Sequence, residues 1–256
     1  MSNSRNRLRG LAARVGIVFA SLIFGMSNSF AEEDLARTLV EKADEIRFPK
    51  GSFEMEILVT SSKPDEDKEV RRYRVLSQGN EKSIVQVTEP ASERGQNLLM
   101  KGRDLWLYVP EVSQPVRLSF SQRLTGQVSN GDIARANFSG DYDPRLLYTE
   151  MRDGIECYAL ELTATERSVT YAKVMLWVRK LNNYPQRAEF YSVSGRLLKS
   201  ATYENFQTLL GRVRPTRMVL KDAVKKGEES VMDYSNMKLR DLPDRMFTKE
   251  YLRKLD

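Results

Sequence analysis

From Phe53 to Val59 apolar and acidic residues take turns. Phe53, Met55, Ile57 and Val59 fall on one side, with Glu54 and Glu56 on the other. A period of two marks a strand with one buried and one wet face, as in an antiparallel sheet. The pattern returns with Tyr73 and Val75 set against Arg72 and Arg74, which makes "EVRRYR" the solvated face of a strand rather than a basic stripe. It continues through "SIVQVTEP", "NLLMKGRDLWLYVP" and "QPVRLSF", then through "DGIECYALELTA", "YAKVMLWVRK", "QRAEFYSV" and "RLLKSATYENF", to a last hairpin at "KKGEE". Turn chemistry separates the segments at "QGNEK", "KLNNYP" and "SVSGR". About ten antiparallel strands in two runs are expected, a mainly β (α+β) chain.

Before the strands, "EEDLARTLVEKADEIR" puts Leu35, Leu39, Ala43 and Ile46 on one helical face with Val40 beside it, and clusters acids in the first turn. "FTKEYLRKL" reads as a short terminal helix or tail. Between Ser121 and Met151 the strand signal lapses. This stretch contains "VSNGDIARANFSGDYDP", which carries Ile133 and Phe138 between Gly131 and Gly140. A segment of this length without a strand period inside a compact domain favours a lid or a binding loop. A rigid plug that completes the core is the alternative. "DIARANF" can form a turn or two of helix with Asp132 near its start, and Asp141 and Asp143 are placed to cap or to pair with arginine.

Two strands are apolar on both sides. "DLWLYV" sets Leu105, Leu107 and Val109 against Trp106 and Tyr108, and "VMLWV" sets Val174, Leu176 and Val178 against Met175 and Trp177. Either cover lies across both faces or one face lines an apolar cavity. Phe53, Met55, Ile57, Tyr73, Val75, Leu107, Leu160, Leu176 and Phe190 are assigned inward. With Ile133 and Phe138 of the lid segment they are the candidate ligand-binding residues.

Residues 1–31 read as a secretory signal peptide: Arg5, Arg7, Arg9 and Arg14, then the apolar run Val15 to Met26, then small residues at Ser29 and Ala31. Cleavage is expected after Ala31, leaving residues 32–256 as one domain. The apolar run is shorter than the roughly 20 residues a membrane span needs. The whole chain holds 41 Lys+Arg against 35 Asp+Glu, a net +6. Four of those arginines lie in the leader, so the exported part is close to balance, and a nucleic-acid partner is not expected.

The chain has no histidine and a single cysteine, Cys157. That excludes Ser-His-Asp and Cys-His catalysis and the common zinc sites. Cys157 alternates with polar neighbours and reads as a small strand residue. "KPDEDKE" and "SGDYD" lack the spacing of a calcium loop. No metal, cofactor or catalytic residue is expected. A carboxylate hydrolase using Asp132, Asp141 and Asp143 would need two carboxyls held about 5 Å or more apart, whereas acids in a Gly-Asn-Ser segment commonly cap or turn the chain.

The stretch "NLLMKGRDLWLYVPEVSQPVRL", with Leu98, Leu99, Gly102, Leu105, Trp106, Leu107, Tyr108 and Pro110, resembles the LolA family of periplasmic lipoprotein carriers. "TEPASERGQNLL", "NGDIARANFSGDYD" and the tail from Phe247 to Leu255 are similar to its outer-membrane lipoprotein-sorting subgroup. The resemblance implies an incomplete, curved antiparallel β-barrel with helices and a lid over an apolar concave face that receives acyl chains. It implies a periplasmic carrier of lipid or lipoprotein acyl chains that meets an inner-membrane transporter, in this subgroup a large exporter, and an outer-membrane acceptor. Where the carriers hold an Arg followed by Pro, this chain has Gln78 and Gly79, a departure that bears on the carriers' opening mechanism. A lipid-sensing or accessory module of an exporter complex is the alternative.

Overall fold

Thirteen strands form one open antiparallel sheet. The computed structural model describes residues 32–79, 81–112, 114–135 and 137–255; the expected leader at 1–31 lies outside them. Helix α1 spans residues 32–47. A meander follows: β1 (Ser52–Ser62), β2 (Glu69–Gln78), β3 (Lys82–Glu89), β4 (Asn97–Lys101), β5 (Asp104–Tyr108) and β6 (Val116–Leu118). A two-stranded ribbon, β7 (Arg123–Thr125) with β8 (Val128–Ser129), leads into the short helices α2 (Asn130–Ala134) and α3 (Phe138–Asp141). The second meander is β9 (Tyr142–Arg152), β10 (Ile155–Ala164), β11 (Lys173–Arg179), β12 (Pro185–Tyr191), β13 (Leu197–Leu209), β14 (Arg212–Asp222) and β15 (Glu229–Leu239), and α4 (Lys249–Leu252) closes the chain.

The two meanders join where β1 pairs with β15, from Phe53 opposite Leu239 to Ser62 opposite Glu229. The first and last strands therefore sit side by side, and β6 and β9 lie at the two ends of the sheet. The curved, unclosed barrel expected from the resemblance is the architecture found.

β9 is a correction to the sequence reading, which took residues 121–151 as strandless. "YDPRLLYTEMR" lacks a clean alternation because it is an edge strand with most side chains half-buried or exposed. Pro144 is tolerated there because an edge strand need not donate every N–H. A second correction concerns α1. Its buried face is Ala36, Leu39, Val40 and Ala43, joined by the charged pair Asp44 and Arg47, while Leu35 is exposed. Arg214, buried on β14, donates to the carbonyls of Glu45 (2.6 Å) and Ile46 (3.1 Å), satisfying the helix end. A third concerns the outer face of β1. Glu54 is only 8% exposed. It accepts from Arg74 (2.9 Å) and from Arg240 and lies 3.7 Å from Lys238.

The strands that are apolar on both sides are covered on both sides. The inner set, including Leu105 and Leu176, belongs to the main core with α1, α2 and α3. The outer Trp106 and Tyr108 pack with Leu76, Ile84 and Leu99 under Leu242, Met246, Phe247 and Leu252 of the C-terminal tail. The Lys249 ammonium lies 4.5 Å from the Trp106 ring centroid, a cation–π contact at the margin. The outer Met175 and Trp177 pack with Cys157 and Ala159. Arg152 stacks over the Trp177 ring at 4.3 Å, and the indole N–H donates to Glu150 at 2.5 Å.

Candidate functional site

The concave face collects the predicted residues. Phe53, Met55, Ile57, Tyr73, Val75, Leu160, Leu176, Phe190, Ile133 and Phe138 are all buried in one cluster, and Leu107 packs partly buried against it. The alternation of the strands is what points them to one side. They fill this face. The space beside Phe53, Met55, Val75 and Ile133 is a void of about 20 Å³. A second void of about 20 Å³ lies among Phe138, Tyr142, Phe190 and Tyr203. Each is close to the size of one water molecule.

The segment from Ser129 to Asp141 lies across this face and is held there by charge. At its start, Ser129 is the N-cap of α2, and its backbone N–H donates to the Asp132 carboxylate at 2.8 Å. Asp132 also accepts from the Tyr171 hydroxyl at 2.7 Å and from the Lys199 ammonium at 2.7 Å. The Lys199 and Asp132 side chains are 5% and 7% exposed. Burial pulls the Lys199 ammonium below its ordinary pKa, with Asp132 opposing. Burial, reinforced by the Asp132 charge, pushes the Tyr171 hydroxyl well up, so Tyr171 remains a donor.

At its far end Arg135 grips Asp141 through two nitrogens, at 2.6 and 2.7 Å, with both side chains 6% exposed. Arg135 also donates to the Gly102 carbonyl at 3.0 Å. α3 is clamped to α1: the Ser139 N–H donates to Asp44 at 2.7 Å, Asp44 pairs with Arg47 at 3.0 Å, and Arg47 lies 4.1 Å from the Phe138 ring centroid. Asp143 pairs with Arg37 at 3.4 Å on the surface. Each of the three acids thus has its own cation. Gly131 and Gly140, which flank Ile133 and Phe138, are positions of close approach. A Cβ on Gly131 would fall 1.9 Å from the Thr170 hydroxyl, and one on Gly140 would fall 2.2 Å from the Asn137 amide.

The larger spaces open at one end of this face. A cleft of about 470 Å³ is walled by Val169, Tyr171, Ala172, Tyr191 and Leu198, with Val193 at its lip. A second cleft of about 390 Å³ adjoins it and shares Ser121, Thr170, Tyr171 and Leu198. Val169 and Tyr171 belong to the main core, so the first cleft runs onto the buried cluster. Sequence reasoning missed both, because their walls come from turns far apart in the chain. One signal was available: Lys199 shares the inward parity of Ala201 and Tyr203, a charge on an otherwise apolar face. Among the described residues no group of three or more metal-type side chains exists, and no helix is long and apolar enough to cross a membrane.

The fold is thus an open, curved antiparallel barrel with helices and a charged cover over its concave face. The chain belongs to the LolA superfamily. It is 63% identical to a LolA superfamily protein from Nitrosomonas europaea, with 84% of this chain and 98% of that one covered and a TM-score of 0.82. A family model described as "Uncharacterized protein"-like matches residues 79–254. The fold is shared with a DUF1329 family protein from Desulfovibrio piger at 24% identity, covering 86% of this chain and 99% of that one, TM-score 0.75. It is shared as well with a domain assigned to outer membrane lipoprotein sorting from Vibrio parahaemolyticus at 20% identity, with coverage of 86% and 99% and a TM-score of 0.75. No curated protein matches the chain.

Proposed function

We propose that the protein is an exported, periplasmic carrier that binds lipid or lipoprotein acyl chains and performs no chemistry of its own. The observation that carries this reading is the apolar cleft of about 470 Å³ that runs onto the core cluster at Val169 and Tyr171. Its volume lies in the range of ordinary ligand sites. An acyl chain entering there gains about 0.8 kcal/mol per buried methylene. To go deeper it would displace Ile133 and Phe138 and occupy the face formed by Phe53, Met55, Ile57, Tyr73, Val75, Leu107, Leu160, Leu176 and Phe190. The cover over that face is fastened by ion pairs, whose partners can be exchanged without breaking the sheet. An inner-membrane transporter as donor and an outer-membrane acceptor complete the carrier reading.

Native mass spectrometry of the protein purified without detergent from its own periplasm tests it. A co-purifying lipid or lipoprotein, passed on to acceptor vesicles, supports carriage. Ligand held but never passed on would mark a lipid-sensing or accessory module instead, and a protein empty under every detergent-free condition would remove the reading.

A further inference from the structure

The two clefts differ in chemistry although they share a wall. The one beside the apolar cleft is lined by Arg123, Arg196, Lys199 and Lys225, against a single carboxylate, Asp222. Two of these cations are already committed. Lys199 pairs with Asp132 at 2.7 Å, and Lys225 pairs with Glu228 at 3.1 Å. Asp222 accepts at one oxygen from the backbone N–H of Val224 and of Lys225 at 2.8 and 2.9 Å, and although burial opposes it, these bonds and the nearby Arg123 charge hold its carboxyl below the ordinary range. Arg123, on the β7–β8 ribbon, and Arg196, in the turn before β13, form no ion pair among the described residues. Two exposed guanidiniums, one on the ribbon and one in a turn, thus line one side of a space whose other side is mainly apolar, with Glu166 and Arg167 also in its lining.

The geometry points to a site for an amphiphile with an anionic phosphate headgroup: the headgroup between Arg123 and Arg196, the acyl chain in the adjoining cleft along Val169 and Leu198. This rests on the acyl-chain reading above and deepens it by naming the polar end of the ligand. A guanidinium presents a planar fork of donors that matches phosphate oxygens, and it stays charged at any working pH. The shared residues Thr170 and Tyr171 stand where the headgroup would meet the chain. The second lysine, Lys199, sits beneath this basin and ties it to the α2 end of the cover through Asp132.

Calorimetric titration of the protein with two soluble short-chain lipids of identical chains tests the site: dihexanoyl phosphatidic acid and dihexanoyl glycerol, with inorganic phosphate as a third ligand. The parent protein is expected to bind the phosphatidic acid roughly tenfold more tightly than the glycerol lipid, as suits charge-assisted hydrogen bonds from exposed groups. The double variant Arg123→Gln/Arg196→Gln should bring the two affinities together while leaving that for the glycerol lipid unchanged, which also reports that the variant is folded. Equal binding of both lipids by the parent overturns the headgroup site and leaves acyl-chain binding standing. A preference that survives in the double variant overturns the assignment to these arginines. Inorganic phosphate bound as tightly as the phosphatidic acid marks a free-anion site and overturns the lipid source. Failure to bind either lipid removes the acyl-chain reading itself.

Discussion

Both faces of the sheet are covered by irregular chain, yet the two covers are fastened differently. On the convex face the tail is held by Leu242, Met246, Phe247 and Leu252 against Leu76, Ile84 and Leu99. On the concave face the segment from Ser129 to Asp141 buries apolar side chains too, but its position is fixed by Arg135 with Asp141, Lys199 with Asp132, and Asp44 with Ser139 and Arg47. Apolar contact is undirected and its strength follows area. Buried ion pairs carry a desolvation cost that only their partners offset, so they are conditional fastenings. A cover meant to stay is well served by the first kind, and one meant to be released by the second.

The largest test of that contrast is Asp141→Ala. It strips Arg135 of its two-pronged carboxylate in a buried place, and a loss of about 3–5 kcal/mol is expected from the urea midpoint. The paired change Arg135→Met/Asp141→Leu should recover most of it, because an apolar pair of similar size can replace a buried ion pair. If the single variant is neutral, charge does not fasten the concave cover. Phe247→Ala should cost slightly less, about 3 kcal/mol, by leaving a cavity under the tail. It should leave lipid binding unchanged. A binding defect in that variant would make the two covers functionally alike.

Smaller again is the pH effect at Glu54. Burial alone would raise its carboxyl, but hydrogen bonds from Arg74 and Arg240 outweigh it and hold the group down at about 2, from an ordinary 4.5. A depressed carboxyl stabilises the fold above its ordinary value, and that contribution is lost as pH falls from 4.5 toward 2. With both arginines partly in solvent, a contribution of about 1–2 kcal/mol is expected. Glu54→Gln should flatten the acid limb of the stability profile, and an unchanged limb would refute the assignment. The smallest effect is kinetic. Amide hydrogen exchange from Ile133 to Phe138 should slow when lipid is added, while that of Phe247 and Leu252 stays constant. Exchange at Ile133 as slow as in β14 without ligand would make the concave cover a fixed plug.

Period-two alternation exposed the inner face in the sequence, because strand geometry dictates it residue by residue. The inward set from Phe53 to Phe190 follows from that rule alone. That Asp141 would cap the chain or pair with an arginine was also legible, and of the two it is the pairing, with Arg135, that is found. β9 escaped because an edge strand has no second neighbour to enforce a pattern. The outward burial of Glu54 escaped because Arg240, one of its partners, arrives from the far end of the chain. The basin at Arg123 and Arg196 escaped for the same reason: each reads as an ordinary surface arginine until β7 and the β12–β13 turn are brought together. Two-sided apolarity in β5 left cover and cavity open in the sequence, and the outer Trp106 and Tyr108 are covered by the tail.

The strand order has a mechanical consequence. The chain between Leu118 and Tyr142 has its ends sewn to opposite hems of the open sheet, one at β6 and one at β9. It is a drawstring. Along it lie the β7–β8 ribbon, α2 and α3, so any spreading of the hems draws on their moorings. The cover is therefore tied by its ends to both edge strands, and whatever holds those edges bears on its seating.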